Sequence, residues 1–123
     1  LTPTRLAYLI AQHIEVNPNL IRLEDFMPYL EHISRVDLSL FFEILGHAAR
    51  HTAEEILPWV KVPTLIIAGA RDGFTPRWLS EEMHRRIPGA ELLVVEDGSH
   101  TTPIEEPAVV IDAIERHLAK AGL

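Results

Sequence analysis

The sequence has no cysteine among its 123 residues, which removes disulfide frameworks, thiolate metal sites and a cysteine nucleophile together. It also lacks any uninterrupted apolar run approaching the roughly 18 residues that a membrane-spanning helix requires. The opening segment, Leu1 to Ile10, has neither the basic start nor the small-residue cleavage site of a secretory signal. Positive charge is scarce. Eleven basic side chains against 18 acidic ones give a formal net charge of −7, a field that repels phosphate backbones and anionic lipid surfaces. Neither nucleic acid nor a membrane is therefore an expected partner, and the cytoplasm is the expected location. Methionine is absent from the first position: Leu1 stands directly before a helical pattern, so the chain is expected to be a piece of a longer one. A chain of this length fits one domain or part of one and can bury about two thirds of its unfolded surface.

What is present divides near Lys61. Before it, apolar residues recur at helical spacing. Leu6, Leu9, Ile10 and Ile14 predict a helix from Pro3 to about Val16, which Asn17-Pro18-Asn19 breaks. A second helix is predicted from Glu24 to about Ile33, with Phe26, Met27, Leu30 and Ile33 on one face and Pro28 accommodated in the first turn. Asp37 is the expected N-cap of a third, whose stripe is Leu38, Phe41, Phe42, Leu45 and Ala48, running to about Arg50. Thr52 and Glu55 have the spacing of a capping box, opening a short helical turn through Leu57 that Pro58 stops. After Lys61 the texture changes. The run Val62, Leu65, Ile66, Ile67, Ala68 predicts a strand buried on both faces of a parallel sheet, ended by Gly69. Thr75-Pro76 opens a helix bearing Leu79, Met83 and Ile87, and Pro88-Gly89 closes it. Leu92 to Val95 is a second strand, and the final helix turns Val110, Ile111, Ile114 and Leu118 inward. The order strand, helix, strand, helix implies two adjacent parallel strands whose carboxyl ends share one edge.

Ligands of open parallel sheets bind at that edge, where loops and helix N-termini converge. The first loop there, Gly69-Ala70-Arg71-Asp72-Gly73-Phe74-Thr75-Pro76, puts an acid four residues past Ala68. The second, Asp97-Gly98-Ser99-His100, puts a histidine five past Val95. Adjacent strands lie about 4.8 Å apart, so Asp72 and His100 can reach one another. A histidine oriented by a carboxylate is the general-base half of a nucleophilic triad: the acid fixes the tautomer and stabilises the imidazolium formed during attack.

The stretch Val62 to Pro76, then Ile87-Pro88-Gly89-Ala90-Glu91-Leu92, then Gly98-Ser99-His100, resembles the last two strands of the α/β-hydrolase family. The resemblance implies an α/β fold, a partial α/β-hydrolase in which a helical segment precedes a β-α-β-α unit of a parallel sheet. Residues 1–57 would then be a helical cap and residues 58–123 the C-terminal part of the core. It implies Asp72 as triad acid and His100 as triad base. It further implies hydrolysis of a carboxylic ester or related acyl bond of a small molecule, without a cofactor. Where the family carries its nucleophile in a Gly-x-Ser-x-Gly turn, this sequence departs from it: Ser34, Ser39, Ser80 and Ser99 are its only serines and none lies in such a turn. Serine, or the aspartate of dehalogenase-like and epoxide-hydrolase-like relatives, would sit upstream. This chain alone is then expected to be inactive. A non-catalytic binding module on the same scaffold, or an acyltransferase, haloperoxidase-like perhydrolase or carbon–carbon hydrolase as the parent, remain open, because one fold hosts all of them.

Other chemistry-bearing residues have plainer readings. Asp97 is the rival acid, but Asp-Gly is a turn signal. Ser99 adjoins His100 in sequence, and adjacent side chains in a loop seldom face each other. Glu43, His47 and His51 recur every four residues on one helix, which reads as a solvated face, so no metal site is expected. His13, His32, His84 and His117 read as surface or boundary residues. Phe74 and Trp78 are candidate substrate-binding residues, with Trp59 as a further aromatic at the pocket mouth. One of the two strands should keep an unpaired edge, a surface for self-association.

Overall fold

The computed structural model describes residues 16–122, so the first expected helix lies, save for Val16, outside the described residues. The helical half begins with α1 (Leu23–Ile33). Phe26 is wholly buried and packs with Val16, Ile21 and Leu30, while Met27 and Tyr29 close over this small core. Burial of a side chain of this kind stabilises by roughly 1.5–3 kcal/mol. Pro28 lies in the interior of α1, not in its first turn. Its ring nitrogen has no hydrogen to give the preceding turn, so the segment is held by Phe26 and Leu30 rather than by an unbroken hydrogen-bond ladder.

Helix α2 (Leu38–Ala48) starts where Asp37 Oδ1 accepts the amides of Ser39 and Leu40 at 2.9 and 3.2 Å, the N-cap expected of it. Its stripe is not buried: Phe41, Phe42 and Leu45 are exposed, Phe42 by 64%. The short segment after it also departs from expectation. Thr52 Oγ1 accepts the amide of Glu54 at 3.3 Å, and a 3-10 turn then spans Leu57–Trp59 with Pro58 inside it. Proline is compatible with a first helical turn, where its missing N–H would have no partner, so it joins this one instead of ending it.

The α/β half runs β1 (Leu65–Gly69), α3 (Arg77–Arg86), β2 (Glu91–Val95), α4 (Thr102–Glu105) and α5 (Pro107–Ala121). The strands pair in parallel from Leu65 with Glu91 to Gly69 with Val95, so both end at the same level. Between them, Ala90 N–H closes onto Ile87 O at 3.2 Å around Pro88 and Gly89, and Gly89 takes the positive φ of 75° that this turn demands. Ile66, Ile87 and Ala90 form the core here, with Leu57, Val60 and Leu92 against it. Burial is lopsided. Ile66 and Ala68 are buried but Leu65 and Ile67 only half so. On α5 the buried residues are Val110 and Ala113, whereas Ile111, Ile114 and Leu118, expected to face inward, are exposed. The cause is common to both corrections: among the described residues the sheet has two strands, too narrow to cover both faces or the full width of a helix. Among the same residues no helix is long and apolar enough to cross a membrane.

Candidate active site

The carboxyl ends of β1 and β2 are stitched together before any side chain is considered. Ala70 N–H donates to Val95 O and Arg71 N–H to Gly98 O, both at 2.9 Å. Gly69 permits this approach, since a Cβ there would overlap the Ser99 carbonyl and Thr102 Oγ1. The two loops thereby bring Asp72 and His100 together, with His100 Nδ1 3.0 Å from Asp72 Oδ2.

Asp72 is held from three further directions. Its Oδ1 accepts the amides of Phe74 at 2.8 Å and Thr75 at 2.9 Å, and its Oδ2 accepts the Thr75 hydroxyl at 2.7 Å. The side chain is only 9% exposed. Burial alone would raise its pKa; the hydrogen bonds from Thr75, His100 and Phe74 outweigh it and hold the carboxyl below its ordinary value. An ionised Asp72 beside Nδ1 requires that nitrogen to carry its hydrogen, leaving Nε2 as the basic lone pair. His100 itself is 40% exposed, so its ring is open on the side away from Asp72.

A cavity of 530 Å³ opens against that ring, lined by Tyr29, Ile33, Val36, Phe41, Phe42, Leu45, Phe74 and His100. Phe74 touches the histidine with ring centroids 5.2 Å apart. The stripe that α2 leaves unburied is thus one wall of this space. Of the sequence candidates, Phe74 joins the cavity; Trp78 and Trp59 stand exposed and outside its lining. Asp97 pairs with Arg71, Oδ1 to Nη2 at 2.7 Å, and does not meet His100. Ser99 is buried and gives its hydroxyl to Glu105 at 2.5 Å. His47 lies 3.5 Å from Arg50, and among the described residues no three potential metal ligands cluster.

Sequence reasoning missed Tyr29, Ile33 and Val36 as lining residues, and it missed Thr75 and Glu105. The signal for Thr75 was legible as a hydroxyl three residues after the acid, the reach of a local side-chain turn. Glu105 carried none beyond its being a carboxylate five residues after the histidine.

Comparison with known proteins bears on the family and the fold. A family model described as TAP-like protein matches residues 46–123, well over half of the chain. The chain is 35% identical over 81 residues to the pimeloyl-[acyl-carrier protein] methyl ester esterase of Neisseria meningitidis, a match spanning 66% of this chain and 31% of that protein. Among solved structures, a thermophilic esterase from Thermogutta terrifontis is 36% identical, with a TM-score of 0.57 over 63% of this chain and 28% of its own. A serine hydrolase involved in carbazole degradation superposes over 93% of this chain and 46% of its own, with a TM-score of 0.74; at 18% identity it shares the fold. The chain thus spans about a third of the curated esterase it matches and less than half of either structure. From strand order, loop placement and these matches together, the chain belongs to the TAP-like protein family of hydrolases and carries part of the α/β-hydrolase fold.

Proposed function

We propose that this chain supplies the acid, the base and the acyl-binding cavity of a carboxylic ester hydrolase. The observation that carries the reading is the contact of His100 Nδ1 with Asp72 Oδ2 at 3.0 Å beneath an apolar cavity. In this mechanism His100 Nε2 removes the proton of a nucleophilic hydroxyl as it attacks the ester carbonyl. Asp72 stabilises the imidazolium so formed, and the same proton then passes to the departing alcohol. A water activated in the same way releases the acid. The hydroxyl comes from outside these residues, because no serine here lies in a nucleophile turn. The oxyanion donors come from outside as well.

Residues 1–57 act as a cap on the core of residues 58–123 in this reading, supported by α1 and α2 walling the cavity opposite Phe74 and His100. The lining offers few polar groups, which favours an uncharged, apolar acyl chain of a small molecule. The test uses the intact natural gene product with chromogenic p-nitrophenyl esters. Butyrate should turn over faster than a succinate half-ester of the same phenol. Loss of turnover in His100→Ala is expected; turnover that persists unchanged refutes the assignment.

A further inference from the structure

We propose that Glu105 is the positioning residue for His100, fixing the histidine loop so that its ring stays on Asp72. The problem it solves is local. His100 lies past the end of β2 and before α4, so no strand or helix ladder sets its backbone, while a productive geometry must be held to within about 0.5 Å. Glu105, the last residue of α4, is buried and reaches back under the loop. Its Oε2 accepts the amide of Ser99 at 2.7 Å; its Oε1 accepts the Ser99 hydroxyl at 2.5 Å and the Thr101 hydroxyl at 3.0 Å. Both neighbours of His100 are therefore tied to one carboxylate.

A fourth donor comes from a distant part of the chain. The amide of Asn17 gives Glu105 Oε1 a hydrogen bond at 2.5 Å, and Asn17 Nδ2 reaches Asp97 O at 2.7 Å. A carboxylate offers about four acceptor sites, and four donors reach this one. Every donor is an amide or a hydroxyl; among the described residues no cation is paired with Glu105. The group is therefore placed as a structural acceptor rather than as half of an ion pair, and it binds the segment before α1 to the histidine loop. Glutamine does not replace it fully: with one oxygen in place of two, its amide nitrogen must face either the Ser99 N–H at one position or the Asn17 N–H at the other, donor against donor.

The kinetic half of this inference rests on His100 being the general base, so the test reads the ring directly as well. In the intact protein, wild type, Glu105→Gln, Thr101→Val and Thr101→Ser are compared by nitrogen-15 spectra of the histidine rings and by kcat and KM on p-nitrophenyl butyrate. For Glu105→Gln we expect a folded protein, loss of the downfield His100 Nδ1 proton, and a kcat lowered roughly 10- to 100-fold with KM changed less than twofold. Thr101→Val should show the same change at smaller size, and Thr101→Ser, which keeps the hydroxyl, less than Thr101→Val. The inference is overturned by a folded Glu105→Gln with the wild-type Nδ1 proton and a kcat within twofold. If Glu105→Gln does not fold, the threonine pair decides: equal ring spectra and equal kcat in Val and Ser overturn it. If His100→Ala retains full activity, the proposed function fails, and the ring spectra alone still test the positioning role.

Discussion

Two histidine–carboxylate pairs of nearly equal length stand at opposite ends of the same strands. His100 Nδ1 meets Asp72 Oδ2 at 3.0 Å beyond the carboxyl ends, and His117 Nδ1 meets Glu91 Oε1 at 2.9 Å where β2 begins. Distance does not tell them apart; their surroundings do. Asp72 is 9% exposed and fixed by two amides and a hydroxyl, none of which competes for charge. Glu91 is 39% exposed and shared with Lys120, whose Nζ lies 2.6 Å from Oε2. The Lys120 ammonium already neutralises Glu91, whereas Asp72 keeps its charge for the imidazole. Beyond His100 lies an apolar cavity; His117 lines a smaller, mixed hollow in which Lys61, Glu91 and Lys120 stand among Val62, Pro63 and Pro88. On the proposed function, it is what the free nitrogen faces that sets the upper pair apart from the lower.

Substitution of the two histidines separates the ends most sharply. In the intact protein, His100→Ala should lower kcat for a chromogenic ester on the order of 10⁶-fold, while His117→Ala stays within twofold. Equal losses from both would erase the distinction. Asp72→Asn comes next, at about 10⁴-fold, because an amide neither fixes the tautomer nor stabilises the imidazolium. Its pH dependence has a definite sign. The folded-state pKa of Asp72 lies below its ordinary 3.8, so its contribution to stability is fully present above that value and is lost as pH falls through the lowered one. Urea unfolding of wild type and Asp72→Asn should therefore differ most near neutrality and converge in strong acid; a gap that widens in acid contradicts the assignment.

The same contrast shows what the sequence alone makes legible. The parallel pair, the two loops and the Asp72–His100 contact follow from strand order and loop length, which depend on short-range pattern and on one rule of sheet topology. Burial was read less well, and the errors share a cause. Ile111, Ile114 and Leu118 have the period of an inward stripe, and Phe41, Phe42 and Leu45 have another, but periodicity says only that a face is apolar. What covers that face is a tertiary fact: a two-stranded sheet in one case, an open cavity in the other. Glu105 was illegible for a related reason. Two of its donors, the amides of Asn17 and Ser99, are backbone groups that every sequence has, so no residue type announces them.

A milder change sharpens the upper end. Thr75→Val keeps the shape of the side chain and removes the hydroxyl that Asp72 Oδ2 accepts at 2.7 Å. One hydrogen bond to a charged group contributes roughly 1.5–3 kcal/mol, and part of that loss should appear as a raised Asp72 pKa. The expected reading is a several-fold drop in kcat with KM unchanged, accompanied by an upward shift of the Asp72 carboxyl resonance titration. A Thr75→Val variant whose Asp72 titrates as in wild type would mean that the two amides alone orient the carboxylate.

The lower end should yield the least. Glu91 is held below its ordinary value, chiefly by the Lys120 hydrogen bond and then by His117, with burial opposing. As with Asp72, its contribution is present above the ordinary carboxylate range and lost as pH falls through the lowered value. Lys120, however, is mostly exposed, and an exposed ion pair is screened by salt and offset by side-chain entropy. Lys120→Ala should therefore shift Tm by only about 2 °C at neutral pH and low salt. In 0.5 M sodium chloride the shift should vanish, and esterase activity should not change. A large or salt-resistant effect would mean that the lower pair anchors α5 on β2 rather than decorating the surface, and the two ends of the strands would then be more alike than their burial implies.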